Sequence, residues 1–269
     1  MGHRRPIKAV PALLLLLLAA LLAGCGRPAA DGARPLVVGM ALDYPPFEMT
    51  DAAGNPTGVD VDLAKALGAA LGRPVRIENL AFDGLIPSLQ SGKIDLILSS
   101  MTATPERARA VAFSDPYLKT GLALLAWKDA PLSGPADLAK PGLRIAVRSG
   151  TTGQLYARDY LPQAKVLVFD TEDAAVLEVT QGKADAFIYD QMSVLAHALR
   201  HPDTTRPFLQ PLREESWAIG LRQGDDVLRA QVNAFLADFR AKGGFSALAD
   251  RYLATQKAAF AKYGVPFVF

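Results

Sequence analysis

Cysteine is almost absent from this chain of 269 residues: Cys25 is the only one, so no disulfide can form within the chain. Histidine is nearly as rare, and only His197 and His201 lie beyond the first 24 residues. Their i, i+4 spacing could in principle bind zinc, but a catalytic zinc needs a third protein ligand and none is evident. We therefore expect a solvated helix face there, and no metal, no cofactor and no catalytic residue.

A surplus of charge of one sign is also missing. The chain has 29 Lys and Arg residues against 27 Asp and Glu residues. Three of the bases and none of the acids lie in the first 24 residues, which leaves 26 bases against 27 acids in the remainder. A chain without a basic excess has no electrostatic footprint for nucleic acid, so we expect no nucleic-acid partner.

Long apolar runs are limited to the N-terminus. A basic start is followed by six leucines at 13–18, and the segment ends in Leu-Ala-Gly before Cys25. This run is too short for a membrane-spanning helix and is typical of a signal peptide. We predict a lipoprotein signal peptide over residues 1–24, acylation of Cys25 and a membrane anchor through its lipid. The alternative is plain secretion with an incidental cysteine. Residues 25–35, rich in Ala, Gly and Pro, would form a tether.

From residue 36 onward, short apolar strands alternate with amphipathic helices, a pattern typical of parallel α/β sheets. The pattern begins again near residue 143. In each half a Gly-Lys-x-Asp turn, at 92–95 and 182–185, precedes a strand that ends in polar residues. Ligands bind at the carboxyl ends of strands in open α/β sheets. Two such strand ends facing each other would form a cleft between two lobes.

Hydroxyl groups and an arginine are concentrated in residues 99–107, where a strand passes into a helix start at Thr104-Pro105. Unpaired backbone N–H groups and a planar guanidinium suit a carboxylate. Alone, this segment fits an ordinary capped helix with a surface arginine equally well. At another helix start we assign Asp60 and Asp62 to helix capping, and Thr151 would cap a helix from residue 152.

Seven segments resemble, in order, the extracytoplasmic solute-binding proteins of polar amino-acid ABC transporters, bacterial solute-binding protein family 3. They are DYPPFE (43–48), GVDVDLA (58–64), FDGLIPSL (82–89), GKIDLILSSMTATPER (92–107), FSDPY (113–117), RSGTTG (148–153) and AFIYD (186–190). The resemblance covers residues 36 to about 252. It implies a two-lobe, type II periplasmic-binding-protein-like α/β fold, with an ABC permease as partner and an extracytoplasmic monomer.

The resemblance also implies the domain boundaries. Residues 36–117 and 217–269 would form the first lobe, residues 122–214 the second, and the two crossings near 118–121 and 215–216 the hinge. The tail over residues 257–269 ends in apolar residues, so we expect it to dock on the first lobe; the alternative is a mobile tail.

Site roles follow from the same resemblance. Arg107 would pair with a ligand's α-carboxylate, helped by the backbone amides of Thr102 and Thr152. Ser100 and Asp190 would hold the α-ammonium group. Asp190 could instead simply cap a helix from residue 191. The full candidate set is Tyr44, Glu48, Phe82, Ser99, Ser100, Thr102, Arg107, Arg148, Thr151, Thr152, Tyr189 and Asp190.

Recognition of the ligand's side chain stays open at this stage. Tyr44 and Phe82 would be aromatic walls, and Glu48 would suit a cationic side chain. Arg148, if it points inward, would favour a carboxylate or an amide, or it could pair with Glu48 around a neutral polar ligand. We therefore expect a polar amino acid without specifying which.

Two other functions fit the same family resemblance. A cyclohexadienyl-dehydratase-like enzyme would use a carboxylate of the cleft as a general acid, and a ligand-sensing module would be fused to a signalling domain. No fused domain is evident in the sequence. The combination of Ser100, Thr102, Arg107 and Asp190 fits a zwitterion clamp better than an acid catalyst, so we favour a binding protein that is not an enzyme.

Overall fold

The computed structural model describes residues 2–3 and 34–267. Nearly all of the predicted signal peptide, Cys25 and nearly all of the predicted tether lie outside these residues. In the described part, no helix is both long enough and apolar enough to cross a membrane.

The strands of the described chain are short, apart from two. They are β1 (Leu36–Met40), β2 (Asp43–Tyr44), β3 (Glu48–Thr50), β4 (Pro56–Thr57), β5 (Val75–Asn79), β6 (Leu96–Ile97), β7 (Ala112–Phe113), β8 (Leu118–Trp127), β9 (Arg144–Arg148), β10 (Lys165–Phe169), β11 (Ala186–Asp190), β12 (Thr205–Trp217) and β13 (Gly220–Leu221).

Helices separate most of these strands. They are α1 (Val59–Ala70), α2 (Leu85–Gln90), α3 (Pro105–Ala108), α4 (Thr152–Tyr160), α5 (Glu172–Thr180), α6 (Gln191–Arg200), α7 (Asp226–Ala241), α8 (Gly244–Tyr252) and α9 (Ala254–Lys262). Two 3-10 turns, Phe82–Gly84 and Pro135–Ala139, complete the set.

Two five-stranded sheets organise the described residues. The first has the order β5-β1-β6-β13-β7, and the second has the order β10-β9-β11-β8-β12. Strand β1 runs parallel to β5 and β6, and β9 runs parallel to β10 and β11. The first lobe is the first sheet with α1–α3, α7 and α8; the second lobe is the second sheet with α4–α6. A small sheet, β2-β3-β4, belongs to the first lobe.

The chain crosses between the lobes on the two long strands. Strands β8 and β12 pair antiparallel, with Leu118 opposite Trp217 at the end nearest the first sheet. These crossings coincide with the places where the sequence predicts a hinge. Bending at these positions and the domain boundaries stay predictions.

Apolar packing holds both sheets: one cluster of buried side chains runs through both lobes, and each lobe has a further cluster of its own. Helix α1 buries Val61, Ala64 and Leu67 completely, at the i, i+3, i+6 spacing that places them on one face. In the second lobe, Ile145 and Ile188 lie fully buried on adjacent strands. Burial of each such side chain contributes roughly 1.5–3 kcal/mol, so both sheets are held without disulfides.

One glycine brings a helix start unusually close to a strand end. A Cβ atom added to Gly153, in the first turn of α4, would lie 2.3 Å from the carbonyl oxygen of Ile188 in β11. No side chain fits at that distance. The glycine therefore lets the N-terminus of α4, with Thr152, lie directly beside the end of β11, which carries Asp190.

The C-terminal tail contacts more of the molecule than expected. Helix α9 packs against α8 of the first lobe and also against α6 of the second lobe, so the tail meets both lobes rather than the first lobe alone. Phe260 of α9 is buried and its ring contacts Phe267. Together with Met192 of α6 these residues border one small cavity. The apolar tail covers the apolar face of α6, a choice that the tail's own composition cannot reveal.

Candidate functional site

A cavity lies between the two lobes, at the ends of β6, β9 and β11. Two of its residues, Glu215 and Trp217, were not predicted from the sequence, and the other twelve are the complete predicted set. The cavity is lined by Tyr44, Glu48, Phe82, Ser99, Ser100, Thr102, Arg107, Arg148, Thr151, Thr152, Tyr189, Asp190, Glu215 and Trp217.

Arg107 is held by carbonyl groups from both lobes. Thr104 accepts a hydrogen bond from the Arg107 backbone N–H, which starts the short helix α3 as predicted. The guanidinium donates to the carbonyl oxygens of Thr102 (2.8 Å) and Gly150 (3.0 Å). Burial lowers the pKa of Arg107 to about 10, so the group remains a cation at neutral pH.

Glu215 joins the hydroxyl groups of the two lobes. Its Oε2 accepts hydrogen bonds from Thr102 Oγ1 and Thr152 Oγ1, both at 3.0 Å, and its Oε1 accepts one from Arg213. An acidic residue buried inside a strand is unusual. Burial cannot be seen in the sequence, so the acidic pair Glu214-Glu215 at a predicted crossing is a hint of an unusual residue but does not reveal its partners.

Trp217 closes the cavity next to this crossing. It is buried, and its ring meets the rings of Phe47 (4.9 Å between centroids) and Tyr44 (5.9 Å) edge to face. It also begins the pairing of β8 with β12. In the sequence it is one aromatic residue at the start of the apolar run 217–221, and nothing there marks it as a site residue.

Asp190 ends β11 and serves two purposes at once. Its Oδ1 caps α6 by accepting from the backbone N–H groups of Met192 and Ser193, and it accepts from Tyr44 Oη of the other lobe at 2.7 Å. The capping interpretation and the cavity interpretation therefore both hold geometrically. Burial, and then the nearby charge of Glu172, raise the pKa of Asp190 to about 7.

Arg148 points inward, and its partner is Asp43 rather than Glu48. Its Nη2 donates to both carboxylate oxygens of Asp43, at 2.8 and 3.0 Å, although Asp43 itself is partly exposed. Phe82 lies 5.4 Å from the guanidinium of Arg107 and 5.5 Å from that of Arg148. The aromatic wall thus faces two cations, and one of them is already neutralised by a carboxylate.

A second group of acids lies behind the serines. Ser99 Oγ and Ser100 Oγ donate to the two oxygens of buried Glu48, at 2.9 and 3.0 Å. The backbone N–H of Ser100 and Tyr117 Oη donate to Asp60 Oδ2, at 2.8 and 2.9 Å. Ser100 has a positive φ of 48°, a costly conformation for a residue with a side chain. These bonds offset that cost.

The predicted capping roles were wrong for three side chains. Gly58 occupies the N-cap position of α1, and Asp60 faces Ser100 of the neighbouring strand end. Asp62 accepts instead from Arg251 and Tyr252 of α8. Thr151 does occupy the N-cap position of α4, but its hydroxyl donates to the Arg148 carbonyl and accepts no bond from the helix. Asp60 and Asp62 thus have tertiary partners in place of local ones, whereas the Thr151 hydroxyl bonds to a carbonyl three residues earlier.

Fold and cavity together define a cleft-type binding protein of two α/β lobes. The model for bacterial extracellular solute-binding proteins, family 3, matches residues 36–255, and the chain belongs to that family. The family membership predicted from the sequence is thereby confirmed.

Individual relatives cover most of the chain. The ABC transporter arginine-binding protein 1 of Escherichia coli (strain K12) is 33% identical over 246 residues, 88% of this chain and 98% of the relative. The histidine-binding periplasmic protein of Salmonella typhimurium (strain LT2) is 30% identical over 89% of this chain and 96% of that protein.

A solved structure supports the architecture. The ancestral amino acid-binding protein AncCDT-1, described as a precursor of cyclohexadienyl dehydratase, superposes with a TM-score of 0.74 at 37% identity. The match covers 81% of this chain and 95% of the ancestral protein. The predicted two-lobe, type II periplasmic-binding fold is confirmed.

Proposed function

We propose that this protein captures a polar amino acid between its lobes outside the cytoplasm and delivers it to an ABC permease. One observation carries the proposal: a buried cation, Arg107, and a buried acid, Asp190, come from opposite lobes and line the same cavity. A zwitterion needs such a pair. The relatives named for arginine and histidine binding point the same way.

The α-carboxylate and α-ammonium groups, which all amino acids share, would be held at the strand ends. Arg107 receives the α-carboxylate in two hydrogen bonds, with the backbone amides of Thr102 and Thr152 beside it. Asp190 and the Ser100 hydroxyl receive the α-ammonium. Tyr44 and Phe82 pack on the side chain. Ser99, Thr151 and Tyr189 shape the remaining wall.

Closure follows from contacts made across the cleft. Tyr44 with Asp190, Arg107 with the Gly150 carbonyl and Arg148 with Asp43 each join the two lobes. A ligand that touches both lobes adds to these contacts and so binds the closed form more tightly than the open form. The difference between these two affinities sets how far the equilibrium shifts toward closure. The closed form is the one that a permease would recognise.

Calorimetry tests this function directly. The purified protein is unfolded and refolded to remove any carried-over ligand and is then titrated with each amino acid in turn. Saturable binding of at least one polar amino acid without chemical turnover supports the proposal. Absence of binding by all twenty would refute it.

An enzyme of the dehydratase class is the second candidate, because a carboxyl group with a pKa near 7 could donate a proton at the cleft. AncCDT-1 shows that this fold lies close to such an enzyme. Release of product from prephenate would support this activity. We favour the binding function because Asp190 already accepts three hydrogen bonds at one oxygen, which hold the carboxyl group in one position beside the cavity.

The lipid anchor has a test of its own. Replacing Cys25 by serine removes the only thiol in the chain. We expect the wild-type protein in the membrane fraction of the producing cell and the Cys25→Ser protein in the soluble extracytoplasmic fraction. Equal partitioning of the two proteins would favour plain secretion.

Arg148 should control which side chain is preferred. Replacing it with alanine leaves Asp43 unpaired beside the cavity, so we expect affinity for cationic amino acids to rise relative to neutral ones by tenfold or more. Glu48→Gln should act in the opposite direction. The measurement is a panel of dissociation constants for arginine, glutamine and glutamate.

A matched control lies on the same strand. Arg144 pairs with Asp185 at the start of β9, away from the cavity. Arg144→Ala therefore removes an arginine–aspartate pair without touching the site and should leave the preference unchanged. If Arg148→Ala and Glu48→Gln also leave it unchanged, these two residues do not read the side chain.

A further inference from the structure

Two carboxyl groups lie at the floor of the cleft, and their hydrogen-bond donors are all uncharged groups. Glu48 is bonded by Ser99 and Ser100, and Asp60 is bonded by the Ser100 backbone and Tyr117. Within residues 34–267 neither carboxyl group is paired with a lysine or arginine in these contacts. Asp60 Oδ1 is buried and has no hydrogen-bond partner. Both side chains are essentially inaccessible to solvent.

Ser100 Oγ lies 3.0 Å from Glu48 Oε2 and 3.5 Å from Asp60 Oδ2, so one hydroxyl group lies between the two carboxyl groups. Ionising both buried acids is costly at this separation, since each anion raises the cost of the other. Burial and the charge of Asp60 raise the pKa of Glu48 well above its usual range, and burial raises the pKa of Asp60 to about 6. Glu48 donates to Asp60 when it carries the proton, which lowers the pKa of Asp60 in turn. Above about pH 6 the pair therefore holds one proton.

The other ionisable groups around the pair cannot neutralise it. Tyr117 donates its hydroxyl proton to Asp60, and the negative charge of Asp43 raises the pKa of Glu48 further. Of the cations that line the cavity, Arg148 is paired with Asp43 and Arg107 is bonded to two carbonyl groups. Asp190, on the other lobe, faces the ligand's ammonium group in the proposed function.

We propose that Glu48 and Asp60 form a one-proton carboxyl pair that releases its proton to solvent when a cationic side chain enters the cavity, and retains it when the side chain is neutral. Glu48 lines the cavity and meets the side chain; Asp60 lies behind Ser100 and acts through Glu48 as a positioning residue. This inference rests on the proposed amino-acid function and specifies how the site accommodates side chains of different charge.

The sign of the pH dependence follows from proton release. A cation favours the ionised form of the pair, so affinity for a cationic amino acid rises with pH until the ligand-free pair has lost its proton. A neutral side chain makes no such demand. L-Arginine and L-citrulline are the appropriate probes, because citrulline has nearly the shape of arginine but no side-chain charge.

The experiment counts protons by calorimetry. Each ligand is titrated at pH 7 in phosphate and in Tris, whose ionisation enthalpies differ. We expect arginine to release about one proton more than citrulline. Above about pH 6, where Asp60 is ionised and Glu48 keeps its proton, the dissociation constant for arginine should fall by about tenfold more per pH unit than that for citrulline, which is the linkage slope for one proton. Asp190 meets the ammonium group of both ligands, so its contribution cancels in the difference.

Three variants locate the proton. Glu48→Gln should abolish the difference between the ligands, and Asp60→Asn should reduce it. Asp62→Asn, on the same helix but bonded to α8 outside the cavity, should leave it near one. Should a variant not fold, the wild-type comparison of the two ligands still decides.

Equal proton release by arginine and citrulline in the wild type would overturn the inference, as would an undiminished difference in Glu48→Gln or binding of citrulline without arginine. These outcomes leave the amino-acid function intact. If no amino acid binds at all, the proposed function itself fails and the inference fails with it.

Discussion

Replacing Arg107 by alanine should abolish binding of every amino acid, whatever its side chain. All amino acids share the α-carboxylate, and Arg107 is the cation proposed to hold it. Removing one member of a buried charge pair costs about 2–5 kcal/mol, or roughly 30- to 5,000-fold in affinity. Calorimetry with arginine, glutamine and histidine provides the measurement, and circular dichroism checks the fold.

A conservative change and a neighbouring one sharpen this test. Arg107→Lys keeps the charge but loses the planar fork that reaches the Thr102 and Gly150 carbonyls together, so it should recover only part of the affinity. Arg109→Ala removes an exposed arginine from the next turn and should bind like the wild type. Retained micromolar affinity in Arg107→Ala would contradict the assignment.

The loss should extend beyond ligand contact. Arg107 donates to a carbonyl of each lobe, so the alanine variant also loses one bond that closes the cleft. In a two-state equilibrium between open and closed forms, weakening the closed form lowers the apparent affinity for all ligands alike. A uniform loss across ligands is therefore the expected signature, in contrast to the selective changes expected at Arg148.

The sequence predicts those parts of the site that lie next to strand ends. Ser99, Thr152 and Asp190 follow apolar runs, and the carboxyl ends of such runs meet at the cleft in this kind of sheet. The local sequence pattern is enough to predict these residues, because the adjacent strand sets the position of each one.

The sequence does not predict the contacts of residues whose partners lie far away along the chain. Glu215 meets Thr102 across 113 positions of sequence, and nothing near Glu215 marks that contact. Asp60 has the sequence context of a helix cap, yet its helix packs against Ser100, and the carboxyl group bonds there instead. The tail over α9 is apolar, but its contact with the second lobe depends on the apolar face of α6, which lies far away in the sequence. Local propensity loses to tertiary contacts in all three cases.

Replacing Asp190 by asparagine should separate its charge from its structural role. Asparagine is an equally good N-cap and still accepts from Tyr44 through its side-chain oxygen, so α6 should remain intact. The ammonium group of the ligand loses its counter-ion. We expect at least about 30-fold weaker binding of all amino acids, equivalent to about 2 kcal/mol or more, with a nearly unchanged helical signal.

The pH dependence of stability supplies a second measurement on the same variant. The pKa of Asp190 is about 7 in the folded protein, against an ordinary value of 3.8. Between these values the folded state holds a proton that the unfolded state has lost, so this residue makes the ligand-free protein less stable as pH rises from about 4 to 7. Asparagine does not titrate, and the Asp190→Asn protein should lose that part of the decline in chemical unfolding.

Asp170 supplies the control for both measurements. It follows strand β10 of the same sheet but is exposed to solvent, and Asp170→Asn should match the wild type in affinity and in its pH profile. Wild-type affinity in Asp190→Asn would remove Asp190 from the ammonium site. An unchanged pH profile would mean that its proton is not held in the folded state. Loss of affinity together with a flattened profile identifies Asp190 as a buried acid that becomes the counter-ion only when the ligand arrives.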